Sequence, residues 1–181
     1  MSFILRYWRR IDFLASVHAM DDSTRKVSRG LKSAAHRGMI PTVQSAYELF
    51  DHTADMGIRA RAATQVELLQ PAADGLYAAI GELVSAGGSE AVRFELRAAD
   101  RATLLRDFLN ELLILFERER RMLVAIDSVD FSESCLTVAA RSSPVDGERS
   151  VYHHEVKAIT YHELSIRPID GGFEATLIVD I

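Results

Sequence analysis

At 181 residues, 48% hydrophobic and 26% charged, the chain has the composition of an ordinary soluble globular protein and the length of one domain or two very small ones. Its single cysteine, Cys135, excludes an internal disulfide and a zinc-knuckle spacing, which makes a reducing, cytoplasmic setting the default. No run approaches the roughly 18 apolar residues of a membrane span, and Arg9 and Arg10 interrupt the apolar start too early for a secretory signal. The net charge of −5 hides an asymmetry: residues 1–45 hold eight Lys/Arg against three acids, and residues 46–181 hold thirteen against 23.

The basic first part mixes Ser, Gly, Lys, Arg and His without sustained periodicity and closes at Pro41. Residues 1–45 therefore read as a flexible N-terminal extension, or as sequence upstream of the true start, and a solvated tail is favoured over an RNA-binding arm. From Ala46 the pattern becomes regular, so residues 46–181 form the domain. Residues 47–50 are a short strand candidate, and residues 57–62 alternate apolar with basic as a half-buried strand does. Thr64 and Glu67 have capping-box spacing ahead of a helical face made by Val66, Leu69, Ala73, Leu76, Tyr77, Ile80, Leu83 and Val84. This helix is expected to run to Gly87 and Gly88, with Pro71 kinking its first turns or pushing its regular start toward Gln70.

Residues 91–97 alternate again, and Asp100 is the N-cap of a second helix with Leu104, Leu105, Phe108, Leu109, Leu112, Leu113 and Phe116 on its core face. Its charged end, residues 117–121, reads as solvent-exposed. Residues 124–131 and 135–140 read as strands, residues 142–150 as a loop, and residues 156–161 and 162–167 as two further strands. Asp170-Gly171-Gly172 between alternating runs marks a hairpin. In the last strand Phe173, Ala175, Leu177, Val179 and Ile181 point one way, and Glu174, Thr176, Ile178 and Asp180 the other. Strands and helices interleave without strict alternation, which predicts an α+β fold in which mixed or antiparallel sheet layers pack with two main helices.

The chemistry-bearing residues are acids. Asp180 stands beside the terminal carboxylate of Ile181, and Asp51 and Asp55 flank His52 and Thr53 near the start of the domain. The Asp-x-x-x-Asp pair alone is a weak signal, because Asp51 and Thr53 serve equally well in Asx-type or capping turns and His52 as a packed or solvent-facing side chain. Together with the acidic terminus it gains weight. Three carboxylates without a basic neighbour in either segment need a cation or open water to relieve their repulsion. Carboxylate-only ligation favours calcium, magnesium or manganese over softer metals. There is no Gly-x-Ser-x-Gly, no nucleotide-triphosphate loop and no dinucleotide fingerprint, and Cys135 lies in a strand-like run without a basic partner.

Four segments in order resemble the archease family: Tyr47-Glu48 leading into Asp51-His52-Thr53-Ala54-Asp55-Met56-Gly57; the helix Leu104-Leu105-Arg106-Asp107-Phe108-Leu109-Asn110-Glu111-Leu112-Leu113; Glu155-Val156-Lys157-Ala158-Ile159-Thr160-Tyr161-His162; and the terminus Val179-Asp180-Ile181. The resemblance implies a small α+β protein that activates the GTP-dependent RNA-splicing ligase, promoting its guanylylation and multiple turnover in tRNA splicing or RNA repair. It implies no catalysis by this chain and only indirect contact with RNA. The family's metal ligands carry over to Asp55, Asp180 and the Ile181 carboxylate, with Ca2+ foremost and Mg2+ or Mn2+ next; Asp51, His52 and Lys157 are supporting or partner-contact candidates. Thr160 and Tyr161 match without an assigned role. The basic extension has no counterpart in compact members, and Pro71 interrupts a helix that usually runs clean. The competing reading is a general chaperone or a modulator of RNA methylation with a structural metal. A metal-dependent hydrolase using His52 or His162 as base carries the least weight.

Overall fold

The computed structural model describes residues 43–181. The expectation for residues 1–45 lies, apart from its last three residues, outside them. Among the described residues ten strands and two helices follow one another: β1 (Ala46–His52), β2 (Asp55–Ala62), a 3-10 turn (Val66–Leu68), α1 (Leu69–Ile80), β3 (Gly81–Glu82), β4 (Glu90–Arg97), α2 (Arg101–Glu119), β5 (Arg121–Phe131), β6 (Cys135–Pro144), β7 (Val151–Tyr152), β8 (Ala158–Ile159), β9 (Ser165–Ile169) and β10 (Gly172–Asp180). One sheet runs β1-β2-β10-β8, with β9 also on β10; a second runs β4-β6-β5; β3 and β7 form a small ribbon. All pairings are antiparallel, so the α+β architecture with two main helices is what the chain adopts.

The capping box is present: Thr64 N–H donates to Glu67 Oε2 at 3.1 Å and Glu67 N–H to Thr64 Oγ1 at 3.3 Å. It opens the 3-10 turn, and Pro71 falls in the first turn of α1, where a missing N–H leaves no intrahelical bond unmade. The helix does not reach Gly87 and Gly88; it stops at Ile80. Gly81 turns into β3 and packs so closely on β7 that a Cβ there would lie 2.1 Å from the Val151 carbonyl oxygen. The N–H groups of His153 and His154 donate to the Ile80 carbonyl at 2.9 and 3.2 Å and close the helix end. Asp100 caps α2 as expected, accepting from Thr103 N–H at 2.8 Å, and all seven of its predicted core residues are buried.

Two strand boundaries differ from expectation. Arg121 is not part of an exposed helix end: it starts β5 and its guanidinium donates to the Ser142 hydroxyl and carbonyl. Residues 142–144 extend β6, with Ser142 and Ser143 fully buried. The core lies between the helices and the sheets, around Ile58, Leu76, Leu105, Phe108, Leu109, Leu136 and Leu177.

Residues 156–167 likewise are not two full strands. Ala158 lies opposite Asp180 and Ser165 opposite Thr176, so seven steps along this edge answer four on β10. The surplus is residues 161–163, which leave the sheet as an outward bulge. Thr160 N–H still donates to the Ile178 carbonyl, His162 N–H turns back to Thr160 Oγ1 at 3.2 Å, and Glu163 takes a left-handed conformation with φ 52°. Such bulges re-aim side chains out of the sheet's regular alternation.

Candidate metal centre

The sequence Asp-His-Thr-Ala-Asp is the turn of the β1–β2 hairpin. His52 pairs with Asp55 across a two-residue connection, Thr53-Ala54, in which Thr53 has φ 52°. Two-residue hairpin loops require such left-handed residues. Directly paired residues share a face, so His52 and Asp55 lie together while Asp51, opposite Met56, lies on the other face. The ladder between β2 and β10 ends at Val179 opposite Met56. Asp55 precedes Met56 and Asp180 follows Val179, so both acids occupy one end of adjacent strands, on the side turned away from the helices. Ile181 and its carboxylate follow directly.

The absence of a basic neighbour, expected from the separate segments, does not hold in three dimensions. Lys157 Nζ donates to a terminal oxygen of Ile181 at 2.9 Å and stands 3.9 Å from Asp180 Oδ1, while Lys157 N–H donates to the Asp180 carbonyl at 2.8 Å. An ammonium group thus already meets the charge that the sequence left unbalanced. Arg106 on α2 steadies the same edge by donating to the Ile159 carbonyl at 2.8 Å and stacking over Tyr161 at 4.4 Å. Asp55, Asp180 and the terminal carboxylate supply only anionic oxygens, a donor set that fits a hard divalent cation. Asp180 and Lys157 are both about half exposed, so an ion has solvent access and the lysine has room to move aside.

The rest of this face is a charged surface around one buried acid. Glu174, opposite Arg61 on β2 and Arg167 on β9, is 3% exposed. Arg61 Nε donates to Glu174 Oε2 at 2.7 Å and Arg167 Nε to Oε1 at 3.0 Å. Burial pushes the Glu174 carboxyl up, but the hydrogen bonds and charges of the two arginines together outweigh it and hold the group below its ordinary value. The motif's Gly57 has a steric role: the Phe50 ring lies across it, 2.1 Å from where a Cβ would stand, and Arg59 stacks over that ring at 4.7 Å. Phe50, Arg59, Glu163, Ser165, Arg167 and Thr176 line an open cleft of about 300 Å³ on the same face.

His52 and His162 come together with Glu163, which carries no signal of its own in the sequence. The bulge brings Glu163 Oε1 to 3.7 Å from His52 Nε2 and 3.8 Å from His162 Nε2. The only sequence trace of this is the break in alternation at Tyr161-His162-Glu163.

The Archease protein family (MTH1598/TM1083) profile matches residues 47–181. The chain is 31% identical over 138 residues to the protein archease of Methanopyrus kandleri, a match covering 75% of this chain and 99% of that protein. Among solved structures it is similar to protein 1598 of Methanobacterium thermoautotrophicum, at 26% identity and a TM-score of 0.60, covering 75% of this chain and 99% of the other. It also shares the fold of an archease from Thermotoga maritima described as a possible chaperone, at 17% identity and a TM-score of 0.53, over 73% and 94% of the two chains. With the family profile spanning three quarters of its length, the chain belongs to the archease family.

Proposed function

We propose that this archease is a metal-binding accessory protein, not itself an enzyme, that activates a GTP-dependent RNA-splicing ligase by promoting its guanylylation and repeated turnover in tRNA splicing or RNA repair. Asp55, Asp180 and the Ile181 carboxylate hold the divalent cation, Ca2+ foremost and Mg2+ or Mn2+ next. The observation that carries the reading is the β2–β10 register, which sets the motif's acid and the chain's acidic end on adjacent strands. Lys157 lies against two of these groups, Asp180 and the Ile181 terminus, and becomes free to meet a phosphate or carboxylate of the partner once the cation takes its place. A net charge of −10 over residues 46–181, from 13 basic and 23 acidic groups, favours a protein partner over bare RNA, since phosphate binding selects basic surfaces.

The test is ligase guanylylation and multiple-turnover RNA joining with the intact chain, with Asp55→Ala and with a chain carrying extra residues after Ile181. The expected result is that the intact chain accelerates both steps and the two altered chains fail to. Full stimulation by both altered chains would overturn the assigned site, and no stimulation by the intact chain would overturn the activator reading. Broad suppression of aggregation of unrelated proteins, independent of Asp55 and Asp180, would favour a chaperone instead.

A further inference from the structure

We infer that His52, His162 and Glu163 form a second metal site, chemically distinct from the all-oxygen centre and suited to a borderline divalent ion of the zinc class. Three ligand atoms, two imidazole nitrogens and one carboxylate oxygen, lie within 4.8 Å of one another. The Glu163 oxygen is 3.7 Å from one ring nitrogen and 3.8 Å from the other. These spacings are too long for hydrogen bonds, and the other ring nitrogen of His52, Nδ1, has no hydrogen-bond partner. They are close to the separation of about 3.4 Å between two ligands on a tetrahedral ion with bonds of about 2.1 Å. A few tenths of an ångström of contraction brings each Glu163–histidine pair to that spacing, and the two imidazole nitrogens, within 4.8 Å of each other, close on the same cation by side-chain rotation.

The local backbone is built around this meeting. His52 ends β1, while His162 and Glu163 belong to the bulge between β8 and β9, so no single element carries the set. Among the described residues Glu163 is one of three non-glycine positions with positive φ. Left-handed conformations of such residues are costly and concentrate where side-chain placement matters. His52 Nδ1 is buried without a hydrogen-bond partner, whereas its Nε2 faces Glu163. The imidazole therefore has one nitrogen enclosed and the other turned to the shared point. His162 and Glu163 are more than half exposed, which gives an ion a path in and leaves a fourth position for water or an incoming ligand.

Imidazole nitrogen selects zinc, cobalt or nickel over calcium and magnesium, which prefer oxygen alone. An ion here also clips the β1–β2 turn to the β8–β9 bulge, two segments more than 100 positions apart in the chain, and so stabilises the fold by mass action.

The test uses the full chain, stripped of metal, with cobalt(II) alone as probe and visible ligand-field absorption as readout. Expected are ligand-field bands at one equivalent, removed by zinc but not by calcium. In His162→Ala and Glu163→Gln the affinity falls by at least about 100-fold, the upper range for losing even a supporting group around a metal. Asp180→Asn binds cobalt as the intact chain does. Both altered ligands lie on the surface, and unchanged circular dichroism establishes that the fold is retained. No bands, or bands unaltered in His162→Ala, would overturn the site. This inference does not depend on ligase activation, because the readout contains neither ligase nor RNA.

Discussion

Glu174 shows how a charge is kept inside this sheet: two arginines bond its two oxygens, and Arg59 approaches to 3.8 Å. Its folded-state carboxyl is held below the ordinary value of 4.5, so ionised Glu174 contributes stability that is fully present above that value. The contribution is lost as pH falls through the depressed folded value. Glu174→Gln is therefore expected to be less stable near neutral pH, with the gap to the intact chain closing in acid; denaturant midpoints across a pH series measure it. Arg61 and Arg167, 41% and 64% exposed, keep water as a partner when Glu174 is removed, so the loss is that of the charge-assisted hydrogen bonds themselves. At Gly57 the neighbour is a ring end that can swing, so Gly57→Ala is expected to displace Phe50 and break its stack with Arg59 without unfolding the sheet. Nuclear magnetic resonance shifts of Phe50 and Arg59 report that displacement.

At the scale of elements, much was legible because local signals agree with burial. The α2 face repeats at helical spacing and begins at an Asp N-cap; Asp100→Ala is expected to cost about 1 kcal/mol in chemical denaturation. The final hairpin was legible from Asp170-Gly171-Gly172, and Gly171 indeed has φ 77°. The end of α1 was not legible. Leu83 and Val84 continue the helical period, but Gly81 is claimed by pairing with a strand 70 residues later in the chain, information that no local window contains. Gly81→Ala meets backbone at 2.1 Å, and is expected to destabilise by about 1–3 kcal/mol in the same denaturation assay. The bulge at residues 161–163 was hidden for a related reason. Its two flanks are good strands, and only their shared partner β10 shows that they are one interrupted edge.

At the scale of the molecule, the sheet joins the two ends of the family domain. The hairpin near its start and the last strand are neighbours through β2 and β10, which is why residues 125 positions apart in sequence, Asp55 and Asp180, occupy one corner. The acids themselves were legible in the sequence as a candidate set. The position of their cationic neighbour Lys157 against the terminal carboxylate is not legible there, because it depends on β8 lying beside β10. The family match begins at residue 47 and extends to the last residue, so a chain shortened to residues 43–181 is expected to unfold in one cooperative transition in thermal denaturation.

The proposed cation centre depends on a free chain end, because a peptide bond after Ile181 removes the terminal carboxylate. Calorimetric titration of calcium into the metal-free full chain tests this most directly, alongside Asp180→Asn and a chain extended beyond Ile181. One saturable calcium site is expected in the intact chain, with loss of that heat in both altered chains. Equal calcium binding by all three would contradict the proposed centre.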